Sequence, residues 1–380
     1  MNGNHIDVAA LPPVPHYTPA QPTKEPLDFA DLPIIDLAQA RTNPTAAAAE
    51  VREAMSTKGF LYIVNHGNTT SQMERLFDIA NVPFAQVPEE EKKQFDSKPH
   101  ETGSFQGYKL RQYWHIEGGV RDQVESYNIN RNVNRRTHPE ALHPYIHEVD
   151  AFARHNHFEV ANAILRLLAL GLELPEETFV EMHDWEKVSE PFVRFMKYYP
   201  RSEEDEAKTK GVWFKGHTDF GSITLLYSQP VSALQILCQD GKWRWVRHIE
   251  NAIIVNAGDA LEFLSGGVYK ATIHRVVQPP SDQRNVTRLG VYYFNLFDDD
   301  VKLAPLTSSP IVQQHRLQTT QAKRFEDDPE KAPTQKDWRL GRTLAYGNTK
   351  NQAEMKEGGL QGESKVQEEV VAGVVVRHYN

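Results

Sequence analysis

The apolar positions of this chain change their period part-way along it. LPIIDL (32–37) reads as a short buried strand, and FLYIVNHG (60–67) as an apolar strand closed by a turn. Between them, PTAAAAEVREAMSTKG (44–59) is rich in helix formers and stops at a glycine. TSQMERLFDIANVPFAQ resumes helical spacing, with Met73, Leu76, Phe77 and Ala80 on one face. PEEEKKQF opens a further helix with proline and then acids, which suits the helix dipole. Residues 146–171 predict a long amphipathic helix ending at Gly171, and residues 175–185 a second one. After Pro191 short β-rich runs alternate with Gly, Pro and Asp breaks: FVRFMKYYP, ITLLYS, LQILC, GKWRWVRH, AIIVNAGD, HRVVQPP and TRLGVYYFNLF. Such a rhythm predicts an all-β sandwich or barrel. Helices return at 309–325 and in APTQKDWRLGRTLAYG.

The pattern therefore divides the chain into five stretches. Residues 1–27 form a proline-rich extended arm, because proline fixes φ and removes donors. Residues 28–185 form a mainly helical region, 186–300 a β-core and 301–348 a helical cover. Residues 349–380 form a polar, flexible tail with an apolar end, VVAGVVVRHYN. Left free, that end would aggregate, so it is expected to pack back onto the barrel or onto a second copy. Residues 100–136 are irregular and aromatic. A loop of that length in a compact domain is functional or disordered as a rule.

Composition narrows the function. A formal charge of −9 argues against a nucleic-acid partner, which needs clustered Lys and Arg. The one cysteine, Cys238, excludes an internal disulfide and any cysteine-based zinc or iron–sulfur site. The first residues show no signal-peptide pattern, and no apolar run approaches the ~20 residues of a membrane helix. The expectation is a cytoplasmic enzyme, monomer or homodimer, without a membrane partner.

Chemistry enters at KGHTDFGSITLLY (215–227). A histidine two residues before an acid is weak evidence: chance gives about two such triplets in a chain of this composition, and six occur. His217 and Asp219 stand out because they precede a strand of the β-core, where residues i and i+2 share a face. His274 opens another β-run and can supply a third ligand. Two histidines and a carboxylate suit a non-haem Fe(II) oxygenase, and zinc hydrolases use the same set. Arg288 starts a β-run whose alternate residues would face the interior. A buried guanidinium needs a partner, and an anionic co-substrate held by a two-pronged contact is one solution. His66 in VNHG is read as a turn histidine, not a ligand.

Together, LPIIDL, GFLYIVNHG, VPEEEKKQF, HTDFGSITLLY, LQIL, VNAGDALEFLSGGVYKATIHRVV and RLGVYYF resemble the Fe(II)/2-oxoglutarate-dependent dioxygenase superfamily, in its isopenicillin N synthase-like branch. The resemblance runs from residue 32 to about residue 300. It implies an α+β fold, a double-stranded β-helix (jelly-roll) core flanked by N-terminal and C-terminal helices. It implies Fe(II) at His217, Asp219 and His274, and the distal carboxylate of 2-oxoglutarate at Arg288. The tyrosine before proline in KYYP points to Tyr199 as a further co-substrate contact, with Lys197 beside it. Where the family places Ser or Thr two residues after the arginine, this chain has Gly290. The activity implied is hydroxylation or desaturation of a small organic molecule with O₂, releasing succinate and CO₂, with ascorbate a possible reductant. Tyr108, Arg111, Trp114 and Tyr127 of the aromatic stretch, with Phe220 and Phe294, are the expected substrate contacts. Three rivals stay open: an isopenicillin N synthase- or ACC oxidase-like oxidase without 2-oxoglutarate, an inactive small-molecule-binding relative, and a zinc hydrolase.

Overall fold

A computed structural model describes residues 11–318 and 326–345 and the strands 356–358, 366–371 and 374–379. The N-terminal half contributes β1 (Ile34–Asp36), β2 (Phe60–Val64), β3 (Gly107–Lys109) and β4 (Val124–Asn130). The β-rich stretch contributes β5 (Phe192–Tyr198), β6 (Val212–His217), β7 (Ile223–Tyr227), β8 (Leu234–Leu237), β9 (Trp243–Trp245), β10 (Ile253–Ala257), β11 (His274–Val277) and β12 (Arg288–Asn295). The tail adds β13 (Lys356–Gly358), β14 (Val366–Val371) and β15 (Val374–Tyr379).

These strands form two sheets. The larger runs β1-β2-β10-β7-β12-β5-β4-β3, and the smaller β13-β14-β15-β6-β11-β8-β9. Strand alternation gives the larger sheet two different faces. Leu61, Val193, Phe195, Leu225, Ile253, Leu289, Val291 and Tyr293 pack with helix residues such as Ala80, Leu165 and Leu168. Phe60, Met196, Tyr198, Leu226, Ile254 and Tyr292 pack with Phe214, Leu234 and Val276 of the smaller sheet. The second layer is the jelly-roll interior, and it is where the site lies.

Local chemistry explains the helices that brace this sandwich. Asn43 caps Pro44–Thr57 by accepting from the Ala46 amide, and proline occupies the first turn. Thr69 and Gln72 form a reciprocal capping box before Thr70–Ala85. The long helix expected over 146–171 is two helices, Ile146–Arg154 and Asn162–Gly171, joined by a wider turn at His155–Ala161.

Two further expectations change. Residues 175–185 form a chain of turns instead of a helix, with the buried His183 Nδ1 donating to Phe179 O at 2.6 Å. The stretch 100–136 is not all loop: β4 sits between β5 and β3, every residue buried. Its polar residues Glu125, Ser126, Asn128 and Asn130 hide the strand from a hydrophobic pattern. The helix expected over 309–325 is Pro310–Gln318, and residues 319–325 lie outside the described residues.

The two ends return to the core. From residue 11, the arm has no helix, and Arg75 and Tyr145 donate to the carbonyls of Pro12 and Pro13 at 2.8 and 2.6 Å. In the tail, β14 pairs with β15, and Tyr379 of β15 pairs with Gly216 of β6. The rest of the tail, and residues 1–10, lie outside the described residues.

Candidate active site

β6 ends at His217, and β11 begins at His274 directly opposite it in antiparallel register. Asp219 lies beyond the end of β6, so a turn, not a shared strand face, brings it round. Its Oδ1 is 3.8 Å from His217 Nε2 and 3.9 Å from His274 Nε2. The ligand atoms of the three residues all lie within 4.8 Å of one another. Bonds of about 2.0–2.2 Å to a common ion put ligand atoms about 3–4 Å apart, so little movement closes the triad on a metal.

The neighbours aim these atoms. His217 Nδ1 donates to Lys215 O at 2.9 Å and His274 Nδ1 to Thr272 O at 3.1 Å. A carbonyl only accepts, so each Nε2 keeps its lone pair for a metal. Thr224 Oγ1 and Asn256 Nδ2 donate to Asp219 Oδ2 at 2.7 and 2.9 Å, leaving Oδ1 turned to the histidines. Burial and the nearby His274 push His217 down to about 3, so its imidazole is neutral. Burial alone would raise the Asp219 carboxyl, but His274, His217 and its two donors hold it below its ordinary value.

The turn carrying Asp219 is clamped from two sides. Asp259 N donates to Asp219 O at 2.7 Å and Gly258 N to Ser222 O at 2.8 Å. A Cβ at Gly258 would lie 2.3 Å from Gly221 O, so only glycine permits this approach. From the C-terminal helix Gln335–Ala345, Arg342 donates to Asp259 Oδ2 at 2.7 Å and to Thr218 O at 3.1 Å.

The cavity beside the triad ends at Arg288. It is lined there by Met196, Tyr198, Leu226, Leu234, Val276 and Tyr292. The Arg288 side chain is buried, and its Nε has no hydrogen-bond partner. Its Nη1 donates to Tyr292 Oη at 3.2 Å, and the guanidinium lies 5.1 Å from the Tyr198 ring. A buried cation with an orphaned donor and phenol rings beside it fits a carboxylate ligand.

A profile of the 2OG-Fe(II) oxygenase superfamily matches residues 192–295. A second, the non-haem dioxygenase in morphine synthesis N-terminal domain, matches residues 32–147. The chain is 32% identical over 250 residues to a flavonol synthase/flavanone 3-hydroxylase of Solanum tuberosum, covering 64% of this chain and 68% of that one. It is 30% identical over 279 residues to the 2-oxoglutarate-Fe(II) type oxidoreductase hxnY of Emericella nidulans, covering 66% and 76%. The chain belongs to the 2-oxoglutarate/Fe(II)-dependent oxygenases. Its fold is similar to that of a full-length Neurospora crassa protein in crystal complexes with alpha-KG and either 5-formyluracil or thymine. The TM-scores are 0.69 and 0.65 at 23% identity, covering 84% and 83% of this chain and 99% and 96% of the other.

This oxygenase has a second compartment on the other side of the triad. Phe105, Trp114, Phe192, Arg194, Phe214, Phe220 and Phe294 line it, with His217 and Asp219 at its floor. Arg194 also lines the Arg288 compartment, so it stands at the junction. Its guanidinium lies 4.6 Å from the Phe294 ring and 5.1 Å from Phe192, and its Nε donates to Asn128 Oδ1 at 2.6 Å. Trp114 is held in this wall by its amide, which donates to Asp122 Oδ2 at 2.6 Å, and by Lys109, 4.3 Å from its ring. Lys109 is itself paired with the buried Asp122.

Not every expected contact is here. Trp114, Phe220 and Phe294 line the mouth. Tyr108 and Tyr127 point to the helix face, where Tyr108 donates to Pro83 O at 2.9 Å and Tyr127 meets His138 at 2.8 Å. Arg111 is exposed and stacks on Tyr199. Tyr199 and Lys197 also lie off the cavity: Tyr199 donates to Glu125 Oε2 at 3.2 Å and Lys197 to Asn81 Oδ1 at 2.8 Å. Alternation along β5 turns Arg194, Met196 and Tyr198 inward instead, so Tyr198 is the tyrosine beside Arg288. Arg194, Phe105, Phe192 and Arg342 were not singled out by sequence. Arg194 had one legible signal, an in-phase position four residues before Tyr198 on a β-run.

Among the described residues, no helix is long and apolar enough to cross a membrane.

Proposed function

We propose that this oxygenase hydroxylates or desaturates a flat, ring-bearing small molecule with oxygen substituents, with His217, Asp219 and His274 holding Fe(II) and Arg288 the distal carboxylate of 2-oxoglutarate. Bound iron with the keto acid supplies O₂ activation, with succinate and CO₂ as by-products. The observation that carries the reading is one junction: Arg194, Phe214 and Phe294 face both the Arg288 compartment and the aromatic mouth, with His217 and Asp219 between.

The chain's own residues divide the work. His217 and His274 present their Nε2 atoms, and Asp219 brings a carboxylate oxygen. Arg288 fixes the far end of the keto acid, so its near end meets the triad in one orientation. Phe294, Phe192 and Phe105 offer ring faces, and Arg194 offers donors to a carbonyl or hydroxyl at the ring edge. The apolar walls exclude water from the reacting carbon. The ligands of the Neurospora protein, thymine and 5-formyluracil, and the flavonol synthase relatives support a flat oxygen-bearing ring. A formal charge of −9 supports a small-molecule partner over nucleic acid.

The test is a coupled assay on anaerobically purified protein with Fe(II), 2-oxoglutarate and a panel of flavonoids, nucleobases and aliphatic acids. Succinate released in step with an oxidised ring product supports the reading. Turnover of the aliphatic acids alone, or product without succinate, sinks it.

A further inference from the structure

Alternation along β12 turns Arg288, Gly290, Tyr292 and Phe294 to the same inner face. The Tyr292 ring folds back along its own strand, over Gly290, until its Oη is 3.2 Å from Arg288 Nη1. A Cβ at position 290 would lie 2.6 Å from Tyr292 Cε2 and 2.8 Å from its Oη. The ring has little room to retreat. It is buried, and it stacks on Phe294 at 5.7 Å and 23°. Tyr198 lines the same corner of the cavity. Gly290 is therefore the space that this ring occupies, and its backbone φ is not the reason for it.

The bond between Arg288 and Tyr292 has a direction. A guanidinium only donates, so the phenol oxygen accepts and keeps its own hydrogen to offer. Arg288 Nε, without a partner, is a second donor at the same end of the cavity. Burial holds Tyr198 well above the ordinary tyrosine range, and its hydroxyl donates to Met196 Sδ at 3.2 Å, which leaves Tyr292 as the phenol with a hydrogen to offer.

We propose that Tyr292 reaches across Gly290 to supply the hydroxyl that binds the distal carboxylate of 2-oxoglutarate beside Arg288. The hydroxyl expected at position 290 has moved two residues along the strand. A side chain at 290 and the ring of Tyr292 exclude each other. Restoring serine at 290 therefore weakens co-substrate binding, although by itself it would add a hydroxyl. This rests on the co-substrate reading above.

The experiment titrates 2-oxoglutarate, and separately oxalate, into the full-length Mn(II)-loaded chain by calorimetry. Oxalate chelates the metal but lacks a distal carboxylate. Tyr292→Phe removes only the hydroxyl and should raise the Kd for 2-oxoglutarate about tenfold or more, with oxalate unchanged. Gly290→Ser should weaken 2-oxoglutarate likewise. The double variant Gly290→Ser/Tyr292→Val removes the ring and keeps the small hydroxyl, and should return to within about threefold of the wild type. Tighter binding in Gly290→Ser, an unchanged Kd in Tyr292→Phe, or a double variant as weak as Gly290→Ser overturns the proposal. Equal loss for oxalate does so too, because it places the effect at the metal. A wild-type chain that binds oxalate but not 2-oxoglutarate overturns the co-substrate reading itself.

Discussion

Arg342 and Asp259 form a buried ion pair, 2.7 Å from Nη1 to Oδ2, that ties the C-terminal helix to the start of helix Asp259–Leu264, whose first amide holds the Asp219 carbonyl. The same guanidinium reaches Thr218 O, between His217 and Asp219. Breaking such a pair on one side costs about 3–5 kcal/mol. Arg342→Met should lower Tm and weaken metal binding, read by competition with a chelator. Loss of Tm with unchanged metal affinity would mean that the turn holds its shape without the clamp.

Removing a ligand should separate chemistry from folding. His217→Ala and His274→Ala should abolish metal-dependent turnover while far-UV circular dichroism stays native. Arg288→Gln should raise the KM for 2-oxoglutarate by about a hundredfold or more, the scale of a charge pair broken in a buried site. Full activity in either histidine variant removes that residue from the triad.

Substrate preference should move with the mouth and not with the rest of the aromatic stretch. Phe105→Leu and Phe220→Leu, which line the mouth and not the Arg288 compartment, should change the ranking of ring substrates while the Kd for 2-oxoglutarate moves little. Tyr127→Phe and Arg111→Ala should leave that ranking as it is, because neither side chain reaches the cavity. A changed ranking in those two, measured as kcat/KM ratios, would place substrate on the far side of β4.

Two buried histidines outside the triad set an acid limit. Burial pushes both His157 and His183 down to about 3. Between that value and the ordinary 6.5, the unfolded chain takes up protons that the folded chain refuses. Stability therefore falls as pH drops through this window, by up to about 1.4 kcal/mol per pH unit for each histidine. His157→Asn should flatten the dependence of Tm on pH between 6.5 and 4.5. An unchanged slope would show that His157 protonates in place.

The tail should matter to the core. Because β15 pairs with β6 at Gly216, next to His217, deleting residues 367–380 should lower Tm or change the oligomeric state seen by light scattering. A truncated chain that melts and elutes like the whole one would show that this pairing contributes nothing.

Much of this protein was legible in its sequence because the information is local. Helix stops, the β-rhythm after Pro191 and the His217–Asp219 doublet each sit within short segments, and ordered motifs from residue 32 to about 300 carry the family, whereas His274 meets the doublet only through the pairing of β11 with β6. What stayed hidden depended on strand phase and on long-range pairing. Two tyrosines stand side by side in KYYP, and both suit an extended segment. Only the neighbours of β5, with helix Thr70–Ala85 on one face and the smaller sheet on the other, decide that Tyr198 faces Arg288 and Tyr199 faces Glu125. The same phase sends Tyr108 and Tyr127 to the helices. Arg342 stands far along the chain from the turn it grips, in a helix whose spacing says nothing of a partner. Gly290 was legible as a missing hydroxyl, but a strand pattern does not show a ring folding back on its own backbone. That fold-back is set by Phe294, Tyr198 and Arg288 packing around Tyr292. A period-two pattern states that alternate residues share a face, and only tertiary packing states which face is inside.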